Sequence, residues 1–166
     1  MSKKRFMAAT TAISLASCAI LGIVQAKNRG TMPKESTVNS HLRQISGQRI
    51  EIRVGDKVFS IDLYDNPTAN DLLHRLPLTL KANNYPGYDE KVIRLQEGLS
   101  MEGAPRGDDP GIPEVGYYHP GQWIALYYGP IGYWSGKVPL GKIHATIDEL
   151  HAIPDNASVT IGVKRN

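Results

Sequence analysis

The chain has 166 residues, with 19 Lys and Arg against 16 Asp and Glu, 41% apolar residues and a single cysteine. That is room for one domain around one core, and it excludes a disulfide scaffold. The net charge of +3 belongs to Lys3, Lys4 and Arg5, because no acidic residue precedes Glu35 and the rest of the chain balances, so no broad basic surface remains for nucleic acid.

The N-terminus has the order of a secretory signal: the basic Lys3-Lys4-Arg5, an apolar run from Phe6 to Val24, and small residues Val24 and Ala26 at a peptidase site. Cleavage after Ala26 makes 1–26 a signal peptide and predicts an exported protein of the periplasm or cell envelope, with no stable membrane span left. Leu15-Ala16-Ser17-Cys18 also reads as a lipobox, which would leave the protein lipid-anchored through Cys18. Against this, the residues after Cys18 stay apolar where a lipid-anchored chain turns polar. An uncleaved anchor is the third reading, since a run of about 20 residues just spans a bilayer; Thr10, Thr11, Ser14 and Gly22 weaken it. Residues 27–47 are polar, with Gly30, Pro33, Ser36 and Ser40, and form a flexible lead-in. The folded domain is expected over 48–166.

From Arg49 onward Ile50, Ile52 and Val54 alternate with polar residues, as do Phe59, Ile61 and Leu63, with Gly55-Asp56 between the two runs. This is the pattern of a β-hairpin. Asn66 then reads as an N-cap with Pro67 at the first helical position, Thr68 and Asp71 offering an alternative capping box. Leu72, Leu73 and Leu76 give the short helix one apolar face before Pro77 stops it, and so short a helix must lie on a sheet or plug it. A strand starts at Leu78, and a further short one is expected at Val92 to Leu95 beyond the turn at 83–87. The Gly, Pro and Asp content of 97–114 marks a long irregular loop, of a length often tied to function. Four β-like runs follow, at 115–118, 123–128, 138–143 and 159–163, with a small helix at 146–151 presenting Ile147 and Leu150. About eight short strands with one or two short helices make a mainly β domain, closed as a barrel or packed as a sandwich, because open edges would invite aggregation.

These residues resemble the bacterial cyclophilin-like fold family, small barrel proteins of largely unassigned function. The resemblance rests on Asp65-Asn66-Pro67-Thr68-Ala69 through Leu76-Pro77-Leu78-Thr79-Leu80, on Glu90-Lys91 with Leu95, Leu99 and Ser100, on Gly116-Tyr117-Tyr118-His119-Pro120-Gly121 followed by Ala125-Leu126-Tyr127-Tyr128, and on Leu140-Gly141-Lys142-Ile143. Order and spacing agree over 48–164. The resemblance implies a closed cyclophilin-like antiparallel β-barrel of about eight strands with a helix capping one end. It does not carry prolyl isomerase activity with it. Cyclophilins have a Phe-His-Arg segment leading into Met-x-Gln-Gly-Gly-Asp, and nothing here matches that stretch. Leu73-His74-Arg75 is similar only on the surface, since it falls at a helix C-terminus where cations meet the dipole.

The remaining chemistry is sparse. His41, His74, His119, His144 and His151 have no metal-ligand spacing, Ser100 and Ser135 sit in no nucleophile elbow, and Glu102 with Asp108-Asp109 does not match a calcium loop. No metal and no cofactor is expected, and the chain is expected to be a monomer. The densest feature is aromatic: Tyr117, Tyr118, Trp123, Tyr127, Tyr128, Tyr133 and Trp134. Strand alternation turns part of this cluster into the barrel, leaving the rest to line a groove for a peptide or small planar ligand. The expected function is a non-catalytic envelope binding module using Arg94, Tyr118, His119 and Tyr128. The alternative is a weak prolyl cis/trans isomerase with a rebuilt pocket.

Overall fold

The computed structural model describes residues 41–164. The expected signal peptide, Cys18 and most of the lead-in lie outside the described residues.

The two alternating runs form the hairpin of β1 (Ile45–Val54) and β2 (Lys57–Tyr64). Gly55 takes φ 57°, a conformation that a two-residue hairpin loop demands and that glycine adopts without strain. Ile50 pairs with Ile61 and Ile52 with Phe59, so the apolar half of each strand shares one side and is buried. Helix α1 (Pro67–His74) starts as the Asn66 cap predicts, with the Asn66 side chain accepting from the Ala69 backbone N–H at 2.9 Å. The rival capping box does not form: Thr68 donates instead to the Ser100 carbonyl, and Asp71 accepts from Arg75 and from the Ser100 N–H. Thr68, Ala69 and Leu72 are the buried face, and Leu73 is only half-buried.

The chain continues through β3 (Leu78–Asn84), β4 (Glu90–Arg94), β5 (Gly107–Asp108), β6 (Glu114–Tyr118), β7 (Trp123–Tyr127), β8 (Trp134–Ser135), β9 (Lys137–His144), helix α2 (Ile147–His151) and β10 (Ala157–Val163). Eight strands close into an antiparallel barrel in the order β1-β10-β3-β4-β7-β6-β9-β2, while β5 and β8 pair separately. Closure leaves no free edge on the main sheet, which decides between barrel and sandwich. Inside lie Ile50, Ile52, Phe59, Ile61, Leu63, Ile93, Val115, Tyr117, Ile124, Leu126, Leu140 and Ile161, with Leu72 from α1 and Leu150 from α2. Helix α2 carries a complete Thr146–Glu149 capping box, but only Leu150 of its two apolar residues is buried. Among the described residues no helix is long and apolar enough to cross a membrane.

The stretch read as an irregular loop carries β5, and its pairing with β8 makes a small flap. Arg43 fastens this flap to the barrel, donating to Asp108 at 2.6 Å and to Glu114 at 2.8 Å, while Tyr64 donates to Glu114 at 2.8 Å. Burial works against the Arg43 charge, but these carboxylates outweigh it and hold the guanidinium pKa above its ordinary value. Arg75, in the segment that mimics Phe-His-Arg, pairs with Asp71 at 2.7 Å and donates to the carbonyls of Glu97 and Gly98. It ties α1 to the long loop, so its partners are Asp71 and loop carbonyls rather than the free carbonyls of the helix end.

Candidate ligand-binding face

Strand registers place alternate residues of four neighbouring strands on the outside of the barrel. Arg94, Trp123, Tyr118 and Lys137 lie in one row across β4, β7, β6 and β9; Val92, Ala125, Gly116 and Pro139 form the next; Glu90, Tyr127 and Glu114 form the third. The middle row is small, so its floor is low. Tyr127 leans into that space: a Cβ built on Gly116 would stand 2.8 Å from the Tyr127 ring. Any side chain at Gly116 therefore displaces the tyrosine.

Rings gather around this floor. Tyr118 stands 4.8 Å from Trp123 and 5.4 Å from Trp134, Tyr85 stands 5.2 Å from Trp123, and Tyr88 meets Trp134 edge-on at 4.9 Å, all between centroids. Trp134 comes from β8, so the flap supplies one wall. Tilted and edge-to-face arrangements at these separations are favourable for aromatic quadrupoles. The Arg94 guanidinium lies over the Trp123 ring at 4.7 Å and donates to the Gly121 carbonyl at 3.2 Å, which sets it at the solvent rim.

Beneath the rings sit polar atoms with no partner. Glu90 is 0% exposed, Lys137 1%, Tyr127 1% and Trp123 5%, and both Glu90 oxygens, Lys137 Nζ, Tyr127 Oη and Trp123 Nε1 lack any hydrogen bond. The Lys137 ammonium stands 4.2 Å from the Trp134 centroid and 4.9 Å from that of Tyr127, held by cation–π attraction without an acceptor. Burial raises the Glu90 carboxyl above its ordinary range, opposed by Lys137, and burial lowers Lys137, opposed by Glu90, Asp108 and Asp109. The Tyr127 hydroxyl is pushed well above its usual pKa, first by burial and then by Glu90.

The other buried charges among the described residues have hydrogen-bond partners. Lys91, on the inner side of β4, donates to Asn84 at 2.6 Å and to the Ile153 carbonyl at 2.7 Å. Glu114 accepts from Arg43, Tyr64 and the Gly111 N–H. Buried polar groups are nearly always paired, and each exception asks for a reason. Here the exceptions share one face.

Of the residues expected in a site, Arg94 and Tyr118 meet across Trp123 on this face. His119 is exposed just past β6, its ring 6.2 Å from Tyr117 of the inner side. Tyr128 packs in the inner cluster, 5.5 Å from His151 and under Lys91 Nζ at 5.6 Å. The structure brings neither of these to the other two. Glu90, Lys137, Tyr85 and Tyr88 complete the face and were not expected in a site from sequence. A surface hollow lined by Ser46, Leu63, Tyr64, Asn66 and Asn70 lies elsewhere. Its Ser46, Tyr64 and Asn66 side chains are already engaged by Leu63, Glu114 and Ala69.

The class defined by these features is a closed antiparallel eight-stranded barrel with a polar, ring-covered face on its outside. The family model described as the Cyclophilin-like family matches residues 52–162, and the chain belongs to that family. It is similar to the solution structure of the hypothetical protein AF2241 from Archaeoglobus fulgidus, at 21% identity over 73% of this chain and 98% of that one, with a TM-score of 0.56. It is also similar to the structure of McbB in complex with tryptophan, at 17% identity over 70% of this chain, with a TM-score of 0.52. The chain spans 45% of McbB. At these identities the likeness is one of fold. No curated protein matches the sequence significantly.

Proposed function

We propose that this protein is an exported, non-catalytic binding module, and that its ligand, a small planar molecule or the aromatic side chain of a peptide, sits on the outer face of β4, β7, β6 and β9. One observation carries the reading: Tyr85, Tyr88, Tyr118, Trp123 and Trp134 converge over buried polar atoms that have no partner. Apolar rings around a few polar groups are the usual make-up of a small-molecule site. McbB, similar in fold, was solved with tryptophan, which supports an aromatic ligand class. Export rests on the basic, apolar and small-residue order of 1–26.

A prolyl isomerase needs a donor fixed at the prolyl nitrogen inside an apolar pocket, whereas Arg94 lies over Trp123 at the exposed rim. Both tryptophans of the chain, Trp123 and Trp134, lie on the proposed face, so intrinsic fluorescence reports on it directly. Aromatic compounds and peptides are expected to shift that emission, with Tyr118→Ala and Arg94→Ala weakening the effect. Emission unchanged by every compound and peptide in such a panel overturns the reading.

A further inference from the structure

We infer that the buried Glu90 and Lys137 are the two halves of a recognition site for a small zwitterion, a free α-amino acid with a planar side chain. The inference rests on the binding face proposed above and names what that face reads. Glu90 offers two carboxylate oxygens and no donor; Lys137, Tyr127 and Trp123 offer N–H and O–H donors. A ligand that satisfies them must therefore bring a donor and an acceptor together.

Charge narrows the class further. A lone buried charge is expensive, and a ligand with one net charge would leave one of Glu90 and Lys137 uncompensated. A zwitterion presents its ammonium to Glu90 and its carboxylate to Lys137, while nothing net is buried. Asp108 and Asp109 also act on the Lys137 charge, but Asp108 is already held by Arg43. The Arg43, Asp108, Glu114 and Tyr64 network is complete in itself, so the orphaned set is confined to Glu90, Lys137, Tyr127 and Trp123. A planar side chain then lies among Tyr85, Tyr118 and Trp134.

Because Lys137 is 1% exposed and lies against Trp134 of β8, access to it requires the β5–β8 flap to lift. Trp134 itself covers Lys137, and lifting the flap breaks the Arg43–Asp108 ion pair that fastens it to the barrel. Lifting it would uncover Lys137 and move one ring wall.

The test is calorimetric titration of the protein with free tryptophan, tyrosine and phenylalanine, with their N-acetyl derivatives, with their amides, and with N-acetyl amides. Free amino acids are expected to bind, and each blocked end to cost about tenfold or more, the worth of one charge-assisted hydrogen bond. Glu90→Gln should remove the discrimination against the N-acetyl forms and Lys137→Met that against the amides. Should a single variant fail to fold for want of its partner charge, the double variant Glu90→Gln with Lys137→Met buries no charge, should melt no lower than wild type, and should lose the preference for free amino acids. If blocked and free forms bind alike, or if the folded double variant keeps the preference, the zwitterion site is overturned while the binding face stands. If no compound binds and neither tryptophan responds, both are overturned.

Discussion

Replacing Leu72 with Ala tests the seating of α1. Leu72 is 1% exposed and packs among the barrel core residues, whereas its neighbour Leu73 is half-buried. Leu→Ala removes roughly three carbons' worth of apolar burial, about 2.4 kcal/mol at roughly 0.8 per buried carbon, and the cavity left behind lifts the cost to about 3–5 kcal/mol. Leu73→Ala loses about half the transfer and leaves no closed cavity, so about 1 kcal/mol is expected. Urea melts of the two variants give both values, provided the slope with denaturant is unchanged. Successive helical residues point about 100° apart, so the ratio reads the rotation of the helix. A Leu73→Ala cost equal to or above that of Leu72→Ala would show that α1 presents another face to the barrel.

A proline-peptide assay with purified protein should show almost no acceleration of cis/trans exchange; a strong rate that collapses in Arg94→Ala would show a working isomerase site. Asp71 is held below the usual carboxylate range, first by its hydrogen bonds with Arg75, despite some burial. A lowered native pKa adds stability that is full above the unfolded value of about 3.9 and is lost as pH falls through the native one. Asp71→Asn should therefore cost about 1–2 kcal/mol at neutral pH, with the gap to wild type closing below about pH 4; a gap that persists unchanged to acid pH would contradict the assignment. The exported protein should begin at Lys27 without lipid, and an intact mass for a chain starting at a diacylglyceryl-modified Cys18 would refute the cleavage site.

Much of the barrel was legible because its signals are local. The alternation of Ile50, Ile52, Phe59 and Ile61 states both the strand period and the buried side. Asn66-Pro67 announces the helix start by hydrogen-bonding chemistry that needs no tertiary partner. The helix face was less legible, since Leu72 and Leu73 are adjacent and only the surrounding barrel decides which is inside.

The site was legible only in part. Arg94 and Tyr118 lie on the proposed face, whereas Tyr128, just past β7, packs in the inner cluster. Glu90 and Lys137 share the outward side of their strands with Arg94 and Tyr118, where charged residues are normally solvated. Lys137 is buried because Trp134 of the flap covers it, and the flap rests on two-residue strands too short to show a period. Its anchor, Arg43 with Asp108, joins residues 65 positions apart. The one sequence hint was Glu90 two places before Val92, in a strand enclosed on both sides.

The most direct measurement of the central claim is amide and indole chemical-shift mapping of labelled protein titrated with tryptophan and with N-acetyltryptophanamide. Tryptophan should shift Val92, Arg94, Tyr118, Trp123 and Trp134, both indole N–H signals among them, and N-acetyltryptophanamide should do so only at much higher concentration. Shifts confined to the hollow around Ser46, Tyr64 and Asn70, or to the barrel end at Tyr128 and His151, would contradict that claim.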